Sequence, residues 1–142
     1  MLDIKITPET TSEITEFLKE EWKQADLNHY GKVTDWKKEK LILQAFENNE
    51  LVGVIELTIQ VGVMHITEVI VKHKKQQKGI GKSLMKKAEE LAKEKNLHKI
   101  YLETGASWEA TKFYEALGYT KTGDLPKHWV KHDFVIYTKF LD

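Results

Sequence analysis

The chain reads as an α/β protein (α+β in its mixture of elements) with about seven strands and three or four helices, and three observations predict this. Strand-like runs with period-two alternation and helix-periodic runs follow one another along the chain. A glycine-bearing turn, Gln76-Gln77-Lys78-Gly79-Ile80-Gly81-Lys82-Ser83, joins the apolar run Val69-Ile70-Val71 to the helical pattern of residues 84–88. Nothing repeats and no linker interrupts the 142 residues, so a single domain over residues 1–142 is expected.

Each element has a local reason. Residues 2–7 alternate like a strand, and Pro8 punctuates it. Thr10 or Thr11 can cap a helix bearing Ile14, Phe17, Leu18 and Trp22 on one face. Residues 25–35 are polar and irregular, with room for a short helix. Residues 41–47 and 51–60 read as strands joined by Asn48-Asn49-Glu50, a hairpin signal. Gly62 breaks the run, and residues 65–72 form the next strand. Ile80, Leu84, Ala88, Leu91 and Ala92 give the core face of a helix ending near Lys95-Asn96. Residues 99–103 are a strand. Ser107 can cap a helix carrying Ala110, Phe113 and Leu117, which Gly118 stops. Residues 119–122 and 133–140 close the chain as two strands.

Composition narrows the function classes. There is no cysteine, which removes disulfides, thiolate metal sites and a cysteine nucleophile together. Lysine and arginine total 22, all of them lysine, and balance 22 acids, so bulk charge attracts neither nucleic acid nor membrane. No apolar run reaches eighteen residues, and residues 1–6 lack the apolar core of a signal peptide, so a cytoplasmic protein is expected. His128 and His132 lie four apart, but Pro126 and the strand-like tail argue against a helix that would align them, and no metal site is expected.

Strand, glycine turn, helix is the order in which a chain presents free N–H groups and a positive helix end to phosphate. Three phosphate loops compete for these residues. A nucleoside-triphosphate loop ending in Gly81-Lys82-Ser83 needs glycine where Gln76 stands. A dinucleotide fingerprint needs a small residue where Leu84 stands. What remains is Gln/Arg-x-x-Gly-x-Gly/Ala, met by Gln76, Gly79 and Gly81. About thirty residues on, Ala110-Thr111-Lys112-Phe113-Tyr114-Glu115-Ala116-Leu117-Gly118-Tyr119 follows the pattern A-x-x-F-Y-x-x-x-G-F/Y. With both motifs in this order, the chain resembles the GNAT superfamily of acyl-CoA-dependent N-acetyltransferases over residues 42–119.

The resemblance implies a GNAT fold, a mixed and mostly antiparallel sheet of about seven strands flanked by about four helices. It implies acetyl-CoA as cosubstrate and a primary amine as acceptor, joined by direct attack in a ternary complex; without cysteine an acyl-cysteine route is closed. On this resemblance the cofactor contacts are Gln76, Gln77, Lys78, Gly79, Ile80, Gly81, Lys82 and Ser83. Val69, Ile70 and Val71 add backbone groups beside a strand bulge. Ser107 stands where the family often has asparagine, and it is shorter with fewer donors. Seven lysines and no acid lie from Lys72 to Lys87, either a solvated helix face or a funnel for the anionic cofactor, with Lys78 and Lys82 nearest the glycines. Tyr114 matches the family tyrosine that faces the CoA sulfur, as general acid. Glu68 is a candidate general base, and His65 rivals it because imidazole titrates in the useful range. Trp129, His128 and Asp124 are candidate acceptor contacts. A homodimer is compatible with the sequence. The competing function is a non-catalytic acyl-CoA sensor that keeps the cofactor site without turnover.

Overall fold

The structure is a computed structural model and describes residues 1–141. It divides into two compact units, Met1–Trp36 and the remainder of the chain from Lys37. In the first unit, residues 2–7 form no strand. Alternation alone offers a face, whereas a strand exists only where neighbouring backbone takes up its N–H and C=O groups. Helix α1 spans Ser12–Tyr30, with Thr11 as its cap: the Thr11 hydroxyl accepts from the Ile14 N–H at 3.2 Å. The helix runs through much of the stretch expected to be irregular and stops at Gly31, whose φ of 72° gives the left-handed turn. Asp26, 2% exposed, is held by the segment after that turn. Its carboxylate accepts from Trp36 Nε1 at 2.9 and 3.0 Å and from the Thr34 N–H at 3.0 Å. A buried carboxylate needs such donors.

The second unit is one six-stranded sheet with two helices. Its elements are β1 (Glu39–Glu47), β2 (Glu50–Gln60), β3 (Val63–Val71), α2 (Ile80–Glu94), β4 (Lys99–Gly105), α3 (Ala110–Ala116), β5 (Thr120–Leu125) and β6 (Phe134–Phe140). The sheet order is β1-β2-β3-β4-β6-β5, antiparallel throughout except for β3 beside β4. That parallel pair requires a crossover, which α2 supplies. The hairpin between β1 and β2 turns on Asn48 and Asn49, both at positive φ (49° and 65°), as a two-residue turn between twisted strands demands. Thus, among the described residues, six strands and three α-helices stand where about seven and four were expected, and the class is the same. No described helix is long and apolar enough to cross a membrane.

Alternation sets the two faces of the sheet. Ile55 and Leu57 of β2, Met64 and Ile66 of β3, Ile100 and Leu102 of β4, and Val135 and Tyr137 of β6 are buried with Leu84, Met85, Ala88 and Ala92 of α2 and Tyr114 of α3. A fully buried side chain of this size contributes about 1.5–3 kcal/mol. The intervening residues, His65, Lys99, Tyr101, Glu103, Phe134 and Ile136 among them, belong to the second face. Ser107 does not cap α3; Glu109 occupies the cap position without a side-chain bond, and Ser107 is an exposed turn residue.

Candidate active site

Residues after β3 build an open cradle. Gln76 Nε2 donates to the Val71 carbonyl at 3.2 Å, tying the loop back to its strand. Gln77 (φ 63°) and Gly79 (φ 82°) then turn the backbone through the left-handed region, and nothing lies within 4 Å of where a Cβ on Gly79 would be. The Ser83 N–H bonds to the Gly79 carbonyl at 3.0 Å. The N–H groups of Ile80, Gly81 and Lys82, in the first turn of α2, precede it and open outward. Gly81 differs: its backbone is helical, and an added Cβ would meet Phe113 and Val71 at ordinary contact distances of 3.5 and 3.7 Å. The cradle therefore has room, N–H donors and a positive helix end for an anionic group.

Ion pairs sort the seven lysines. Lys72 bonds to Glu50, and Lys75 bonds to Glu47 at 2.7 Å. The hydrogen bonds from these lysines hold both glutamates below the usual carboxylate range. Lys87 lies 3.8 Å from Glu90. Lys78 and Lys82, beside the glycines, make no ion pair among the described residues and stay exposed. Lys74 and Lys86 likewise make no ion pair among the described residues, so two of the four unpaired lysines flank the cradle.

Strand β3 changes its pairing on both sides. Toward β2, Ile66 pairs with Leu57 and Glu68 with Glu56, so Thr67 is an extra residue, a bulge. Toward β4, pairing holds only from Val63↔Lys99 to His65↔Tyr101. Beyond it the two strands carry no ladder toward each other, which leaves backbone donors and acceptors along residues 66–71 and 102–105. The gap starts at His65 and Tyr101 and runs to the end of β3 at Val71, six residues later and about 20 Å of strand, where the loop to the cradle leaves. The bulge also puts His65 and Glu68, three residues apart, on one face of the sheet, because Thr67 absorbs the alternation. Val69 packs toward the core, and Ile70, 64% exposed, returns to the second face.

The protein-family match follows this geometry. The acetyltransferase (GNAT) domain model matches residues 5–132. The chain belongs to the GNAT acetyltransferase family. Among solved structures, an acetyltransferase from Bacillus cereus ATCC 14579 superposes on this GNAT chain with a TM-score of 0.73 at 25% identity, covering 96% of this chain and 98% of that one. A GNAT family acetyltransferase from Elizabethkingia anophelis with acetyl-CoA bound gives 0.67 at 24% identity, covering 72% and 76%. The PaiA N-acetyltransferase from Thermoplasma acidophilum, in complex with coenzyme A, gives 0.65 at 20% identity, covering 94% and 81%. The last two likenesses are of fold. The curated proteins contain no match.

The remaining candidate residues of this GNAT acetyltransferase lie on both faces of the sheet. Tyr114, on α3, is 8% exposed and packs against Phe113, Tyr119 and Tyr137 at ring separations of 5.1, 6.1 and 6.4 Å. Burial pushes its hydroxyl up to about 12. On the second face, the His65 ring stacks on Tyr101 (4.2 Å, 3°), and its Nε2 lies 2.8 Å from Glu103 Oε2. Glu68 is exposed on that face. His128 meets Trp129 at 4.9 Å and Phe134 at 5.5 Å, and Trp108 meets Phe134 at 5.3 Å, so these rings form one aromatic cluster at the end of β4 and β6. Asp124 lines a cavity together with Phe134, Pro126 and Tyr137. It pairs in register with Val135, on the core side of the sheet, and binds Lys121 at 2.7 Å. Sequence reasoning does not single out Glu103, Trp108 or Phe134. Alternation in residues 99–103 places Glu103 opposite the core, but only the strand order sets it beside His65. The described residues hold no cluster of three or more metal-binding side chains.

Proposed function

We propose that this chain is an N-acetyltransferase, moving an acetyl group from acetyl-CoA to a primary amine by direct attack in a ternary complex, with residues 1–142 acting as one domain. One observation carries the reading: the gap between β3 and β4 has an anion cradle at one end and titratable side chains at the other. Gly79 with its open space, the first N–H groups of α2, Lys78 and Lys82 suit a pyrophosphate. The unpaired edge of residues 66–71 suits an amide-bearing arm that adds to β3 as a strand would.

When bound, acetyl-CoA supplies an acyl group already activated as a thioester. The chain's own residues position and assist. Lys78 and Lys82 neutralise phosphate charge, and the bulged edge of β3 fixes the arm in the gap. Tyr114 approaches from the α3 side. Its hydroxyl, at about 12, stays protonated through neutral pH. Handing that proton over completely to a thiolate of ordinary pKa, about 8.5, would cost about 5 kcal/mol. Tyr114 therefore acts by donating a hydrogen bond to the departing sulfur, which takes its proton from water. The amine enters from the second face, where the aromatic cluster of Trp108, His128, Trp129 and Phe134 offers a wall for its body.

The test has two arms. Acetyl-CoA at a hundredfold excess over its dissociation constant should stabilise the protein by about 2.7 kcal/mol, a rise of several degrees in Tm, with ATP giving none. Thiol release from acetyl-CoA should then be followed across a library of amines. A Tm rise without release by any amine would favour the acyl-CoA sensor, and a larger rise with ATP than with CoA would refute both readings.

A further inference from the structure

His65 sits where the paired part of β3 and β4 ends and the gap begins, on the face opposite Tyr114. Three contacts fix its ring: the backbone ladder through Tyr101, the parallel stack on the Tyr101 ring and the 2.8 Å hydrogen bond to Glu103. Both side chains of that bond are 27% exposed, so the pair is sheltered yet reachable. An ionised carboxylate can only accept, so Nε2 carries the proton and Nδ1 keeps the lone pair. Glu68 shares the face, but it is exposed and no hydrogen bond orients it among the described residues.

We propose that His65, oriented by Glu103, is the proton acceptor for the amine, with Nδ1 as the accepting atom. His65 is the catalytic residue here and Glu103 a positioning residue. This rests on the transferase reading above. The amine arrives neutral, having left its first proton in water. As the C–N bond forms and the C–S bond breaks, the remaining N–H becomes strongly acidic and its proton passes to Nδ1. His65 then returns a proton to water, and the sulfur takes one from water, so amine and thioester yield amide and thiol with no net proton. The proton leaves on one face of the sheet while Tyr114 meets the sulfur from the other, so the two tasks do not compete for space.

Other charged groups near His65 are accounted for by element. Strand β4 contributes Lys99, Tyr101 and Glu103; the Lys99 ammonium lies 5.5 Å from the Tyr101 ring centre. Strand β2 places Thr58 opposite His65 and Glu56 two residues along, and the Lys40 ammonium of β1 lies 3.9 Å from Glu56. Strand β3 itself adds Glu68. Of these, Glu103 is the group that hydrogen-bonds the ring.

Two measurements test the assignment. In the protein alone, 15N NMR of the His65 ring should show the Nε2-protonated tautomer at neutral pH, and Glu103→Ala should turn it into a mixture. A wild-type Nδ1-protonated ring overturns the proposal before any turnover is measured. With an amine that reacts, log kcat/KM against pH should rise with slope two at low pH, one proton from the amine and one from His65. His65→Gln should leave slope one and lower kcat by about a hundredfold or more, with acetyl-CoA affinity unchanged. Glu103→Gln should lower kcat while leaving KM for acetyl-CoA unchanged, and should scramble the His65 tautomer as Glu103→Ala does, a signature that lost packing alone would not produce. Turnover that survives His65→Gln with slope two intact overturns the pair alone. Failure of the wild type to turn over any amine overturns the transferase reading, and the base with it.

Discussion

Gly79 and Gly81 sit two residues apart, and only Gly79 has a backbone that calls for glycine. At φ 82° Gly79 adopts a backbone that disfavours any Cβ, and its missing side chain is what keeps the cradle open. Gly79→Val should therefore weaken CoA binding more than tenfold in calorimetry, with a stability cost of about 1–2 kcal/mol from the left-handed backbone. Lys86→Ala, on the outer face of α2, should leave binding near wild type. Equal effects in the two variants would show that the loop does not hold phosphate. Tyr114 offers a single-atom test. Tyr114→Phe keeps the ring packed between Phe113, Tyr119 and Tyr137 and removes only the donor. A hydrogen bond to a charged group is worth about 1.5–3 kcal/mol, so kcat should fall roughly ten- to hundredfold while CoA affinity holds. Because burial lifts this hydroxyl to about 12, no alkaline limb from Tyr114 should interrupt the wild-type rate profile until the pH approaches that value.

At the scale of elements, the β1–β2 hairpin restrains the lysine-rich segment. Glu47 and Glu50 flank the Asn48-Asn49 turn and take up Lys75 and Lys72. Such exposed pairs add little to stability, so Glu47→Gln with Glu50→Gln should move Tm by no more than about 2 °C. Releasing two cations near the cradle should instead tighten CoA binding about two- to threefold at low salt and steepen its salt dependence. Unchanged affinity at low salt would mean that these lysines lie outside the cofactor's field. The bulge at Thr67 works at the same scale. It shifts the register between β2 and β3 by one residue and brings Glu68 to the same face as His65, while on the other edge the ladder to β4 ends at His65.

For the whole molecule, the buried tyrosines fix a pH window. Desolvation by burial raises Tyr114 and Tyr119 above the ordinary phenol value, and Tyr101 and Tyr137 also shift upward. Above about pH 10 the unfolded chain loses phenolic protons first, so it binds fewer protons than the folded one and stability falls as pH rises. Tyr114 alone should account for a loss on the order of 2–3 kcal/mol between about pH 10 and about 12. Urea titrations across this range should show the fall in wild type and a smaller one in Tyr114→Phe. A flat profile would mean that these hydroxyls are solvated.

The sequence alone determined what depends on neighbours along the chain. Hydrophobic period gave α2 and its core face, Asn48-Asn49 gave the hairpin, and Gln76 and Gly79 gave the turn before α2, because backbone angle and alternation are local properties. The strand expected at residues 2–7 failed for the complementary reason: alternation supplies a face, but only tertiary structure supplies a pairing partner. Tertiary structure also decided which lysines are neutralised, since Glu47 and Glu50 lie more than twenty residues from their partners. Register with Val135 put Asp124 on the core side, a placement that alternation in the sequence alone does not give. Glu103, thirty-eight residues from His65, joined it only because β4 lies parallel beside β3. Local rules shaped the cradle, and long-range pairing composed the site around it.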